Sequence, residues 1–291
     1  MARLAVLIVA YDSAPHAARL AQALNAQTRK PDEIWVLENA SPKAPVTEAD
    51  LPEGARLITS ETNLGFAAGN NLLAQQTQAD WLAFLNPDAF PEPDWIERLL
   101  AATERHPDVD LFGSTQLAAD TPGVLDGVGD VWFGAGIPYR SGYGKAIPVP
   151  AEGEVFAPCA AASLVRRSVF EALGGYDEDY FCYVEDVDLG FRARLAGSRT
   201  IQLPDAKVHH VGYGSSGRRS EFATYHGARN RLWTWWKNTP GWLFWLTLPV
   251  HAGLTLLLGI SALRFGLGRA YWRGIGDALR GASAINAKRR A

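Results

Sequence analysis

Six carboxylates fall within the thirteen residues from Tyr176 to Asp188: Asp177, Glu178, Asp179, Glu185, Asp186 and Asp188, set among aromatic and apolar side chains. A carboxylate in partly apolar surroundings has its charged form destabilised, so its pKa rises toward the range in which it can accept a proton during a reaction. The same residues also suit the acidic first turn of a helix running to about Ala196, where the macrodipole favours negative charge. A second acidic signal, Leu85-Asn86-Pro87-Asp88, stands at the end of an apolar run far upstream. Asp88 there is a hard oxygen ligand of the kind Mg²⁺ or Mn²⁺ takes alongside substrate phosphates. The adjacent His209 and His210, followed by a Gly and Ser loop to Gly217, offer a metal or phosphate contact, although an isolated His pair is more often structural.

These residues need a frame, and the chain supplies one in alternating pieces. Leu4 to Ala10 is a continuous apolar run ending at Tyr11-Asp12-Ser13, and His16 to Gln27 then has helical spacing through Leu20 and Leu24. Glu33 to Glu38 and Leu57-Ile58-Thr59 read as further strands, Trp81 to Leu85 as another, Asp110 to Ser114 and Thr200 to Leu203 as two more. Strands alternating with helices at this spacing predict an α/β fold with a mainly parallel sheet and helices on both faces, and in such a sheet ligands sit at the carboxyl ends of the strands. Asn63-Leu64-Gly65-Phe66-Ala67-Ala68-Gly69-Asn70-Asn71 opens a helix with Gly and small residues, which suits either a phosphate at the helix N-terminus or a plain loop and cap. Ala118 to Gly153 is rich in Gly and Pro with little periodicity, as expected of a binding loop or lid over the acceptor side, with Trp132, Phe133, Tyr139 and Tyr143 as stacking faces.

A chain of 291 residues with 47% hydrophobic residues can bury a full core. Cys159 and Cys182 are its only cysteines, which excludes a disulfide framework and makes a reducing compartment the simpler reading. Leu4 to Ala10 is too short for a signal-peptide apolar region and lacks a cleavage pattern. No Walker-type loop, dinucleotide fingerprint or zinc-type spacing is present.

Taken together, these motifs resemble a family-2 glycosyltransferase of the nucleotide-diphospho-sugar transferase (GT-A) superfamily, most similar to its bacterial rhamnosyltransferase-like branch. The resemblance covers roughly residues 4 to 235. It rests on Val9-Ala10-Tyr11, Glu38-Asn39-Ala40-Ser41, Asn63 to Asn71, Leu85-Asn86-Pro87-Asp88, Gly174-Gly175-Tyr176-Asp177-Glu178, Glu185-Asp186-Val187-Asp188-Leu189 and the His210 region. It implies inverting transfer of a sugar from a dTDP-, UDP- or GDP-linked donor to a lipid-linked or saccharide acceptor, in cell-surface polysaccharide or glycolipid synthesis. By motif, Asp88 ligates Mg²⁺ or Mn²⁺ with His210 completing the site and His209 as the alternative; Asp186 is the general base and Glu185 orients the acceptor. Ala10, Tyr11, Glu38, Asn63, Gly65, Asn70 and Asn86 are implied to bind the donor. Two departures stand out: Asn86 replaces the first acidic residue of the usual Asp-x-Asp motif, and Glu38 replaces a nucleotide-pocket Asp. The rival is a catalytically silent sugar-nucleotide or lipid-binding protein of the same fold, disfavoured because a binder needs no base.

The remaining residues, 236–291, read as a separate tail. Asn238 to Leu263 holds no Asp, Glu, Lys or Arg, long enough to cross hydrocarbon but interrupted by Pro249, His251 and Gly253. Arg264 to Ala291 carries seven Lys or Arg against the single Asp277, leaving about −9 on the rest of the chain. Phe265, Tyr271, Trp272, Ile275 and Leu279 share one helical arc beside Arg269, Arg273 and Arg280, a pattern that suits an anionic membrane surface. The expected location is the cytoplasmic face of a bacterial inner membrane, peripheral or monotopic, with no nucleic-acid partner. A buried helical hairpin serving a homodimer is the alternative.

Overall fold

The computed structural model describes residues 2–212 and 220–290. In chain order the elements are β1 (Leu4–Ala10), α1 (Ala14–Asn25), β2 (Glu33–Glu38), β3 (Ala55–Thr59), α2 (Gly65–Ala74), β4 (Trp81–Leu85), β5 (Ala89–Pro91), α3 (Trp95–Arg105) and β6 (Leu111–Ala118). Then come β7 (Leu125–Gly127), β8 (Asp130–Phe133), β9 (Ile137–Arg140), β10 (Gly153–Glu154), β11 (Ala162–Arg166), α4 (Arg167–Ala172), α5 (Glu185–Leu195) and β12 (Thr200–His210). The helices α6 (Glu221–Asn238), α7 (Gly241–Arg264), α8 (Gly268–Arg280) and α9 (Ala282–Arg290) follow.

The unbroken apolar runs of β1 and β4 sit at the sheet centre because both of their faces are covered. Strands β3, β2, β1 and β4 are parallel neighbours in that order; β11 then runs antiparallel between β4 and β6, and β12 lies parallel to β6. One face is packed by Leu20 and Leu24 of α1 and Trp95 and Leu99 of α3. The other is packed by Leu73 of α2, Phe170 of α4 and Leu189 of α5. Each such fully buried side chain contributes about 1.5–3 kcal/mol.

Several expectations are corrected. β12 does not stop at Leu203; Pro204, which cannot donate to the ladder, falls where the pairing with β6 shifts between Leu203 and Lys207, and the strand resumes to His210. The segment from Ala118 to Gly153 is not irregular throughout. β8 and β9 form a hairpin, Trp132 stacks on Phe156 at 5.8 Å and meets the edge of Phe191, and the Ala135 carbonyl faces His251 Nδ1 of α7 at 2.8 Å. Short strands of mixed polarity carry little periodicity, which is why they were invisible as a pattern. Phe133 and Tyr139 remain exposed, but the hairpin is packed down on both sides, and a lid loses its support.

The boundary expected at residues 235/236 falls inside α6. Leu232, Trp233 and Trp235 of α6 form one core with Tyr271, Ile275 and Ala278 of α8 and Ile285 of α9. The arc expected to face lipid is therefore divided: Tyr271 and Ile275 turn inward, and Phe265, Trp272 and Leu279 stay exposed. α7 runs unbroken through Pro249 and Gly253. It buries only a stripe at four-residue spacing, His251, Thr255 and Gly259, and exposes Trp242, Trp245, Leu246, Leu257 and Ile260.

Candidate active site

The carboxyl end of β4 breaks at Asn86-Pro87-Asp88, and β5 then pairs antiparallel with β12 so that Ala89 lies opposite His210. Strand alternation turns His210 inward and His209 outward, where His209 faces Glu92 at 3.4 Å. His210 is the histidine that belongs to the site. Its Nε2 lies 3.3 Å from Asp88 Oδ1 and 3.4 Å from Asn86 Nδ2, while Nδ1 contacts Asp126 Oδ2 at 2.8 Å. A buried carboxylate behind an imidazole fixes its orientation, the arrangement found behind metal-binding histidines. Burial alone would raise the Asp88 carboxyl, but the hydrogen bond and charge of His210, with His16 beyond it, hold it below the usual carboxylate range. Burial would lower His210, and its two carboxylate partners outweigh that and raise it.

Asn86, Asp88, His210 and His16 stand on the wall of a cavity of about 460 Å³, with Asp126 behind it. Among the expected donor-site residues, Tyr11, Asn63, Gly65, Asn86, Asp88 and His210 line it. Ala10, Glu38 and Asn70 do not. Ala10 is sealed in the sheet core, and Asn70 donates back to the Phe66 carbonyl within its own helix. Glu38 is buried with one oxygen accepting from the Ser41 N–H at 2.7 Å and the other from the Val46 N–H at 2.9 Å, so it shapes the following loop. Asp12, His16 and Asn39 hold the positions on the wall that the motif reading gave to Glu38.

The N-terminus of α2 is not an open anion site. The Leu64 N–H donates to Asn39 Oδ1, Gly65 N–H to Asn63 Oδ1, and the Phe66 and Ala67 N–H groups to the Phe181 carbonyl at 2.7 and 3.2 Å. Gly65 has φ of 77°, and a Cβ there would sit 2.5 Å from that carbonyl oxygen, so the close approach of the two loops requires glycine.

Phe181, Cys182 and Tyr183 also line the cavity, in a turn where Phe181, Tyr183 and Val184 all have positive φ. For such residues this is strained backbone that surrounding structure must hold. Asn230 of α6 does so: its Nδ2 lies within 2.7–3.0 Å of the carbonyls of Tyr180, Cys182 and Tyr183. Arg229 donates to the Asp179 and Tyr180 carbonyls. This clamp delivers Glu185 and Asp186 to the start of α5.

The six carboxylates then separate by environment. Asp188 is fully buried and takes Arg192 Nε, Lys237 Nζ and Asn238 Nδ2 at 2.7–2.8 Å, which ties α5 to α6. Asp177 pairs with Lys237 and Lys288, the more exposed Asp179 also pairs with Lys288, and Glu178 accepts from Asn71. Glu185 is buried with Oε2 unpartnered; burial first and then the Asp186 charge raise its carboxyl well above the usual range, which favours a proton-bearing side chain over the charged group expected to orient an acceptor. Asp186 is half-buried, its oxygens accepting from the Ala160 and Val187 N–H groups, and it is not on the cavity wall itself.

Beside Asp186 stand Asp130 and Cys159, with ligand atoms of all three within 4.8 Å of one another. Burial and then the Asp186 charge push Asp130 up to about 8, and burial pushes the Cys159 thiol up to about 12. Arg140 acts electrostatically on all three groups, so this cluster already has a cation and fits a metal poorly. Asp88 and His210 fit one better: two cis ligands at about 2.1 Å from an ion are about 3 Å apart, close to their separation. Asp126, Asp130, Arg140 and Asn230 were not foreseen; the first three lie in the stretch without periodicity. The Gly and Ser loop after Gly212 lies outside the described residues from 213 onward.

The model of "Glycosyl transferase family 2" matches residues 5–174. The chain belongs to this family. It is similar to the N-acetylglucosaminyl-diphospho-decaprenol L-rhamnosyltransferase of Mycobacterium tuberculosis, 30% identical over 284 residues that cover 86% of this chain and 92% of that protein. Its fold matches GalNAc-T7 solved with UDP, GalNAc and Mn²⁺, with a TM-score of 0.64 and 14% identity over 82% of this chain and 49% of that one. The mannosyltransferase PcManGT of Pyrobaculum calidifontis, solved with GDP-Man and Mn²⁺, matches with a TM-score of 0.55 and 17% identity over 97% of this chain and 75% of that one. The protein is thus a rhamnosyltransferase-like glycosyltransferase with a GT-A fold, a sugar-transferring enzyme.

Proposed function

We propose that this glycosyltransferase moves a sugar, rhamnose by likeness to the mycobacterial relative, from a nucleoside-diphospho-sugar to a hydroxyl of a lipid-linked acceptor with inversion at the anomeric carbon. The observation that carries the reading is the Asp88–His210 pair on the wall of a cavity of about 460 Å³. Asp88 and His210 would hold Mg²⁺ or Mn²⁺, and the bound ion would supply charge stabilisation for the leaving diphosphate. The mixed oxygen and nitrogen set favours Mn²⁺. The acceptor oxygen attacks the anomeric carbon opposite the departing phosphate, its proton passes to Asp186, and the bond to the diphosphate oxygen breaks. Tyr11, Asn39 and Asn63 hold the nucleoside; Glu185 serves as a buried support for Asp186.

Thermal shift against UDP-, dTDP- and GDP-sugars tests the donor site. At least one donor is expected to raise Tm, and more with Mn²⁺ than in EDTA, since ligand binding to the folded state stabilises it. No shift with any donor would remove the reading.

The acceptor side belongs to the membrane in this proposal, with α7–α9 docked on α6 as the unit that meets the cytoplasmic leaflet. Trp242 and Trp245 of α7 are 72% and 71% exposed. Arg264, Arg269, Arg273 and Arg280 are exposed nearby, whereas Lys288 and Arg289 face the protein. Each exposed basic residue contributes about 1 kcal/mol at an anionic surface. The full chain is expected to float with anionic vesicles and to resist release by salt, because screening leaves the apolar contacts intact. Trp242→Glu with Trp245→Glu should release it at no cost to folding; unchanged flotation of that double variant would count against α7 as the contact.

A further inference from the structure

We propose that Arg140 is a catalytic residue of the transfer, the protein's own cation for the leaving diphosphate, standing beside the Asp88–His210 pair. The inference rests on the donor-site reading above. Arg140 ends β9, in the hairpin whose sequence gave no sign of the site, and it lines the same cavity as Asp88, His210 and the strained turn. Gly127 makes the approach feasible: a Cβ there would lie 2.3 Å from Arg140 Cδ and 2.6 Å from Cγ, so any other residue would displace the stem.

Asp126 Oδ2 accepts from Arg140 Nη1 at 2.8 Å and lies 2.8 Å from His210 Nδ1. One carboxylate oxygen therefore fixes the guanidinium and the imidazole side by side on the same wall. Among the described residues that oxygen is the only acceptor hydrogen-bonded to Arg140, whose side chain is 29% exposed. A guanidinium has five donors in a planar fork that matches phosphate oxygens two at a time, and most of this one is left for a ligand. The chain also has a reason to need it. Asn86 stands where a second acidic ligand would be expected, so the ion is held by fewer charges, and a fixed cation beside it supplies what a weakly held ion does not. Charge grows on the diphosphate as its bond to the anomeric carbon breaks, and a donor already aimed there acts without reorganisation.

Arg140 also faces Asp126, Asp130 and Asp186, and a purely structural cation would do the same. Calorimetry in EDTA separates the two roles, using whichever of the UDP/UMP, dTDP/dTMP or GDP/GMP pairs the wild type binds. The preference for the diphosphate over the monophosphate is expected to fall about tenfold in Arg140→Met, with monophosphate affinity unchanged, the loss appropriate to one charge-assisted contact. Arg140→Lys, which keeps the charge without the fork, should lose a few-fold and stands in if the Met variant does not fold. Asp126→Asn should keep the preference, because the amide oxygen can still accept from Arg140 Nη1 and hold the guanidinium in place. The proposal is overturned if Arg140→Met keeps the wild-type preference, if it weakens both nucleotides equally, or if Asp126→Asn loses as much, which would place the effect in the His210 frame. Failure of the wild type to bind any of the pairs would instead remove the donor-site reading.

Discussion

Asp186→Asn is expected to lower kcat by about 10²–10⁴-fold, the range for loss of a general base, with little change in nucleotide affinity. Asp186 stands off the cavity wall among groups whose burial and charge matter to proton transfer, with Asp130 and Glu185 both raised and so favouring their neutral forms. In the proposed mechanism Asp186, held by the Ala160 and Val187 N–H groups, is the carboxylate that receives the acceptor proton. The amide keeps its shape and can still accept from the Ala160 N–H, so folding should survive. Asp88→Ala should do the reverse, weakening Mn²⁺-dependent donor binding before it affects proton transfer. Single-turnover rates and donor titrations on both variants check the division; equal losses of donor affinity would refute it.

Lys237→Met is expected to destabilise the fold by about 3–5 kcal/mol, the range for breaking a buried ion pair from one side. Lys237 Nζ lies 2.7 Å from both Asp177 Oδ2 and Asp188 Oδ1, and its side chain is 4% exposed. Asp188 keeps Arg192 and Asn238 in the variant, but loses the buried cation that α6 supplies to it. The pH profile should move as well. Burial would raise Asp188, yet Arg192 and Lys237 hold it below the usual range, so its contribution is present at neutral pH and lost as pH falls through the depressed value. With Lys237 gone that loss begins at higher pH. Urea titrations at several pH values measure both effects, and a double-mutant cycle with Asp188→Asn isolates the pair.

Most of the sheet was legible because β1, β2 and β4 are apolar runs with strong local signals, and the break at Asn86-Pro87-Asp88 marks a strand end on sight. Asp88 and His210 could be named because motif and strand end coincide. Glu38 is the carboxylate of its motif, and nothing local reveals that two backbone N–H groups already occupy it while its neighbour Asn39 lines the cavity. Asp126 and Arg140 become partners across a hairpin turn and only then meet His210, 84 residues from Asp126 in sequence. No spacing rule joins them. The tail was legible only in part for a related reason: an amphipathic arc shows that one face is covered, and it does not separate Tyr271 and Ile275, which protein covers, from Phe265, Trp272 and Leu279, which stay exposed.

The clamp from α6 onto the strained turn has a consequence for the order in which this enzyme is made. Asp177 is synthesised long before Lys288, its partner 111 residues later, and α6 itself completes its core only with α8 and α9. While the chain is still emerging, the sheet can form with the Asp88 side of the cavity, but the turn ahead of Asp186, which lines the cavity through Phe181 to Tyr183, lacks the packing that holds its positive-φ residues. The support for that turn therefore arrives last, together with the exposed apolar helix α7. A half-made chain would have a sheet with one side of its cavity and no support for the other.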